Sequence, residues 1–178
     1  MGKPMYEKGV DFKELDRPWW PKSIWYRHYI TEKPMVFQTK VIGYTAEITR
    51  KSDGRVLARL EADGKLYVYP GYYWDGPSGP TFDTIAFIIA SLPHDILYQM
   101  LREDKLINVK NFPSYPSVYY KEFYKLRRWA DDTMKEINLA NGMSKFRAAY
   151  TYKFVRWFGE PNALSRTVKL YSAHWSNS

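Results

Sequence analysis

The sequence predicts an α+β fold, with antiparallel β hairpins in the N-terminal part and a helical bundle of about three helices after them. Two observations carry this. Asp-Gly turns at Asp53-Gly54 and Asp63-Gly64 separate runs that alternate apolar with polar residues, as hairpins do. From residue 83 onward the apolar period becomes helical, and the last two runs stop at Gly142 and Gly159. At 178 residues, 45% hydrophobic and 18% aromatic, the chain can bury a core as one domain. Nothing inside it has the composition of a linker between two domains.

Residues 1–34 read as an extended aromatic arm. Pro18 and Pro21 oppose helix there, and Trp19, Trp20, Trp25 and Tyr26 suit a segment laid on another surface, of this domain or of a neighbouring subunit. The single domain is then 35–178. Its β part covers 35–73: Val41–Thr49, a turn at Lys51–Gly54, Arg55–Glu61, a second turn at Ala62–Gly64, and Leu66–Tyr69. In the second run Val56, Ala58 and Leu60 alternate with Arg55, Arg59 and Glu61. A loop rich in Gly and Pro spans 74–82.

The helical part covers 83–160. Asp83 is placed to cap Thr84–Leu101, with Pro93 expected to kink or break that helix. A connector with Pro and Asn fills 104–116. Val118–Leu139 follows, stopped at Asn141-Gly142, and Ser144–Phe158 ends at Gly159-Glu160-Pro161. The tail, 161–178, has only a weak pattern. The stripe Phe146, Tyr150, Phe154 and Phe158 recurs every fourth residue and is expected to face the core.

There is no cysteine, which excludes disulfides and thiolate metal sites, and there are only three histidines. A metal would therefore rest mainly on oxygen ligands. No apolar h-region follows Met1, so no signal peptide is expected. The apolar run Ile85–Leu92 is too short for a transmembrane segment. The net charge of +8 favours polyanionic partners: anionic lipid, nucleic acid or an acidic protein surface. Nucleic-acid binding would not be sequence-specific, since no helix-turn-helix, zinc or RNA-recognition motif is visible. The plainer reading of Lys121, Lys125, Arg127 and Arg128 is a solvated face.

Chemistry concentrates in Leu92-Pro-His-Asp-Ile-Leu-Tyr98. On a helix His94 and Tyr98 lie four apart and Asp95 and Tyr98 three apart, so all three can face one cleft. Upstream, Gly76, Pro77, Ser78 and Gly79 form a loop able to turn carbonyls toward a cation. Calcium takes about six to eight oxygens, so one aspartate, loop carbonyls and water would serve. His94 could activate water while Asp131, from the next helix, orients its second nitrogen. The alternatives stay open at this stage: a buried polar pair at His94 and Asp95, a core tyrosine at Tyr98, and a turn-capping role for Asp75. Arg127 and Asp131 would make an ordinary i,i+4 ion pair. His28 and His174 have no assigned role.

The pattern Trp74-Asp-Gly-x-Ser, His94-Asp-x-x-Tyr98, Arg127-x-x-Ala-Asp131 and Tyr152…Arg156…Phe158-Gly159 resembles a family of uncharacterised phage and bacterial proteins, a domain of unknown function. The likeness covers roughly residues 65–160. The same segment is similar to the calcium-dependent phospholipase A2 site, including its compact viral versions. That resemblance implies a phospholipase A2-like helix pair, with His94 as general base, Asp131 as its partner and Tyr98 steadying Asp131. It further implies the Gly76 N–H as oxyanion donor and Asp95 as the carboxylate ligand of calcium. The backbone of Trp74, Gly76 and Ser78 would supply the other ligands, with Asp75 a candidate for a second carboxylate. Trp74 stands where that family has tyrosine, and Ser78 where it has glycine. The function implied is calcium-dependent hydrolysis of a lipid or another ester. A non-catalytic bacteriophage virion or assembly protein, docked on other virion subunits, is the alternative. The chain would reside in the host cytoplasm or on a phage particle.

Overall fold

The computed structural model describes residues 12–15, 28–76, 84–107 and 116–164. Seven antiparallel strands precede four helices among these residues, an α+β architecture as expected. The strands are β1 (Phe12–Glu14), β2 (Tyr29–Thr31), β3 (Met35–Gln38), β4 (Ala46–Thr49), β5 (Val56–Leu60), β6 (Lys65–Val68) and β7 (Tyr73–Trp74). They make a three-stranded sheet in the order β1-β2-β7 and a four-stranded sheet in the order β3-β6-β5-β4.

The larger sheet follows from the two Asp-Gly turns. At each, the glycine sits at positive φ, +71° for Gly54 and +84° for Gly64, where a Cβ would be strained. Asp53 and Asp63 each accept a hydrogen bond from the backbone N–H two residues on, at 3.1 and 3.0 Å, which closes the turn. Alternation then puts Phe37, Ile48, Ala58, Leu60, Leu66 and Val68 on the buried face. The Thr133 hydroxyl accepts from the Lys40 backbone N–H at 3.0 Å and ties this sheet to the helices.

The smaller sheet draws on the segment read as an N-terminal arm. Two pieces of the 1–34 segment are strands, with Phe12 paired to Thr31 and Tyr29 to Trp74. Phe12, Tyr29 and Trp74 pack ring on ring, with centroids 5.2–5.8 Å apart. These aromatics therefore fold onto their own chain. Trp19, Trp20, Trp25 and Tyr26 lie outside the described residues.

The helices are α1 (Ile85–Arg102), α2 (Pro116–Ala140), α3 (Lys145–Phe158) and α4 (Glu160–Ala163). Thr84 is the N-cap of α1, and Asp83, expected there, lies outside the described residues. Pro93 does not break α1: the helix runs through it to Arg102, and the ring removes only the one N–H that proline lacks. Ser144 caps α3 by accepting from the Arg147 N–H at 3.3 Å, and Gly142 at φ +84° turns the chain into it. Helix α4 falls at the start of the expected tail, so the helical part has four members; residues 165–178 lie outside the described residues.

The aromatic stripe of α3 does not face the core. Phe146 is 86% exposed, Phe158 62% and Tyr150 47%, and the buried residues of α3 are Ala148 and Thr151. Small side chains on the inner face leave no volume for rings, so α3 meets α2 through its slim side. Helix α1, by contrast, is buried on nearly all sides and packs chiefly on α2.

Candidate functional site: a buried His-Asp-Tyr-Arg network at a cleft

Helices α1 and α2 bring the expected pair together. His94 Nε2 lies 3.0 Å from Asp131 Oδ1, and the Tyr98 hydroxyl donates to that same oxygen at 2.7 Å. The His94 and Tyr98 rings lie 4.1 Å apart, as their spacing on one helix face requires. His94 Nδ1 lies 3.2 Å from Asp95 Oδ1. Asp131 is fully buried, and its second oxygen, Oδ2, accepts from Arg156 Nη1 at 3.0 Å. Each carboxylate oxygen thus has a partner, which a buried anion needs.

Arg127 does not make the expected pair with Asp131. It is 1% exposed and donates four hydrogen bonds elsewhere. Nε reaches the Tyr98 hydroxyl at 3.2 Å and Nη1 reaches Glu160 Oε2 at 3.2 Å. Nη2 reaches the carbonyls of Val155 at 3.0 Å and Arg156 at 2.7 Å. These carbonyls end α3, so a cation caps a helix C-terminus where the dipole favours it. The i,i+4 contact occurs one residue on, where Arg128 and Asp132 lie 3.8 Å apart at the surface.

Arg127, Arg156 and Glu160 complete the network; the sequence pattern contains Arg127, read as an ion-pair partner of Asp131, and Arg156, without a role, and it leaves out Glu160. Arg127 has one usable signal: it falls on the α2 face that holds Phe123, Ala130 and Met134, all buried. A cation and an anion four apart on an apolar stripe must both find buried partners. Gly159 reads in the sequence as a helix stop and as the last residue of the family-like pattern. It is also a close approach, since a Cβ there would fall 2.6 Å from the Val155 carbonyl oxygen and 2.9 Å from the Tyr98 hydroxyl.

His94 and Asp95 form part of the wall of a cleft of about 530 Å³, together with Trp74, Asp75, Phe154 and Phe158 among others. Strand β7 delivers Trp74 and Asp75. The Trp74 indole N–H donates to Ser91 Oγ at 3.2 Å, which anchors the strand end on α1. The Tyr72 hydroxyl donates to Gln99 Oε1 at 2.8 Å one turn beyond Asp95. Asp75 is exposed and pairs with His28, whose Nδ1 lies 3.2 Å from Oδ1 and whose ring stacks on Tyr73. His28 thus contacts two residues of the cleft wall, Tyr73 and Asp75, although its sequence context marks it for nothing. Gly76 follows directly, buried, at φ +73°. Ser78 and His174 lie outside the described residues.

The electrostatics separate the two aspartates. Burial draws the His94 pKa down, but hydrogen bonds to Asp131 and Asp95 and the charges of both reverse this, raising it to about 9. Burial would raise Asp131, yet its hydrogen bonds to His94, Tyr98 and Arg156 and the His94 charge hold it below the ordinary carboxylate range. Asp95 is raised, first by burial and then by the nearby Asp75 charge, against the lowering effect of His94. Asp131 is therefore the anion that sustains the imidazolium, and Asp95 gives up its charge more readily. Burial is also the main reason that Tyr98 holds its proton far above its ordinary value.

Asp75 and Asp95 bring two carboxylates to one cleft, and the repulsion between them is a feature that a hard cation would relieve. No group of three or more His, Cys, Asp or Glu side chains is arranged for a metal among the described residues. Main-chain carbonyls of the 74–76 stretch would have to complete the set. No protein-family model, curated protein or solved structure gives a significant match to this chain.

Proposed function

We propose that the chain is a hydrolase of a lipid or other ester, with His94 as base and Asp131 as the group that orients it. The observation that supports it is the shared oxygen: Asp131 Oδ1 meets both His94 Nε2 and the Tyr98 hydroxyl, while the imidazole forms part of the cleft wall. This favours the tautomer with hydrogen on Nε2, so that the neutral ring presents its Nδ1 lone pair beside Asp95. Water held at Nδ1 gives its proton to the ring as its oxygen attacks the ester carbon. The ester C–O bond then breaks, and the proton passes to the departing alkoxide. Calcium, held by Asp95, by backbone at Trp74 and Gly76 and by Asp75, would polarise the ester carbonyl. The Gly76 N–H is the proposed oxyanion donor. Apolar residues Phe87, Met134, Phe154 and Phe158 in the same cleft suit an ester with an apolar chain.

A second reading has its own observation. An imidazole raised to about 9 between two carboxylates is charged near neutrality, which suits a structural lock better than a base. Under that reading the protein is a non-catalytic phage virion or assembly component. Turnover of short-chain and phospholipid esters, with calcium and with chelator, separates the two. Hydrolysis that requires calcium and disappears in His94→Ala and Asp95→Asn supports the enzyme. No turnover by folded protein on any of these esters leaves the lock.

A further inference from the structure

Helix α3 carries its rings on the side away from the core. At about 100° per residue, Phe146, Tyr150 and Trp157 fall within an arc of about 40°, roughly opposite the buried Ala148 and Thr151. Phe146 is 86% and Trp157 73% exposed. Lys145 and Lys153 are exposed beside this ridge on one flank, and Phe154 and Phe158 continue it on the other, toward the cleft. The charged residues of α3 are Lys145, Arg147, Lys153 and Arg156, with no carboxylate among its fourteen residues.

We infer that this ridge is a docking face for an anionic lipid surface, with α3 lying in the plane of the headgroups. Three features select that occupant. Charge is the first: an entirely basic helix complements anionic headgroups, and a second copy packed α3 on α3 would set Lys145 and Lys153 against like charges. Shape is the second. The ridge is convex and narrow, whereas protein hot spots seat anchors in pockets; a fluid interface needs no matching cavity. Side-chain type is the third, because Trp and Tyr rings sit at the apolar–polar boundary while lysine stems run along it to the headgroups. No helix among the described residues is long and apolar enough to cross a membrane, so α3 would lie on the surface. The docking face is a separate feature from the hydrolase reading and does not rest on it.

Vesicle flotation tests it without any turnover. The intact chain should float with phosphatidylcholine vesicles containing about 30% phosphatidylglycerol and stay unbound with phosphatidylcholine alone. Phe146→Ser with Trp157→Ser, and separately Lys145→Glu with Lys153→Glu, should each weaken flotation by roughly tenfold or more. Salt at about 0.5 M should release much of the bound protein. These four side chains are exposed and lie off the cleft wall, so circular dichroism and hydrolysis of a soluble ester, where present, should not change. Flotation unaffected by both double variants, flotation equal on neutral vesicles, or binding to DNA with none to vesicles would each overturn the inference. Loss of flotation with ester turnover intact separates this face from the site.

Discussion

Replacing Asp131 by Asn tests the centre of the network, because it keeps the shape and removes the charge. Asn retains one oxygen for the Tyr98 hydroxyl and His94 Nε2, but its amide nitrogen or its oxygen must then serve where Oδ2 met Arg156. If the amide faces Arg156, donor meets donor, and a charge-assisted hydrogen bond of about 1.5–3 kcal/mol is lost. Breaking a buried pair on one side only costs about 3–5 kcal/mol, since the remaining charge is left uncompensated. The linked titration adds a signature. Raising His94 from 6.5 to about 9 corresponds to about 3 kcal/mol of stability. The folded pKa lies above the unfolded one, so this stability is fully present below 6.5 and is lost as pH rises through about 9. Asp131 is the first of the groups that raise His94, so the variant should lose much of this increment. Urea denaturation of both proteins at about pH 6 and about pH 10 should show a deficit of about 3–5 kcal/mol at the lower pH, shrinking by about 1–2 at the higher. A deficit that is the same at both pH values, or larger at the alkaline one, would refute the claim that Asp131 sustains the imidazolium.

Four further outcomes follow from the same structure. Ester hydrolysis with calcium present, measured as kcat/KM against pH, should rise with pH as His94 gives up its proton, because the base is the neutral ring. Gly159→Ala should cost about 1–3 kcal/mol in thermal or urea unfolding, since the added methyl meets the Val155 carbonyl and the Tyr98 hydroxyl; φ is −79° there, so the cost is one of space. Gly64→Ala should cost more than Gly54→Ala, the latter about 1 kcal/mol: both sit at positive φ, but only at Gly64 does a Cβ meet a backbone oxygen, 2.8 Å away on Thr39. Arg127→Lys should cost about 2–4 kcal/mol by denaturation, because an ammonium cannot bond Tyr98, Glu160 and two carbonyls together.

What could be read from the letters was whatever is local. Asp53-Gly54 and Asp63-Gly64 announce turns because only glycine takes their positive φ cheaply, and the strands beside them pair antiparallel, with one register shift between Ile48 and Thr49. His94, Asp95 and Tyr98 share a helix face by spacing alone, and Asp131 was reachable as a carboxylate on the next helix. Strand β7 was not readable, since two residues cannot display alternation, and its pairing with Tyr29 spans forty-five positions of chain. Arg127 shows why local rules fail inside a core. A guanidinium four residues before a carboxylate has a ready partner on an isolated helix, but here tertiary packing offers it two α3 carbonyls, Glu160 and a tyrosine, and frees Asp131 for Arg156. The stripe on α3 failed for a different reason. Spacing of four defines a face and says nothing about which way it points; the direction was carried by Ala148 and Thr151, whose small size makes them the inner side of a close helix contact. A row of rings opposite a row of small residues on a purely basic helix is therefore the pattern that marks an outward apolar face, and it was present in the sequence all along.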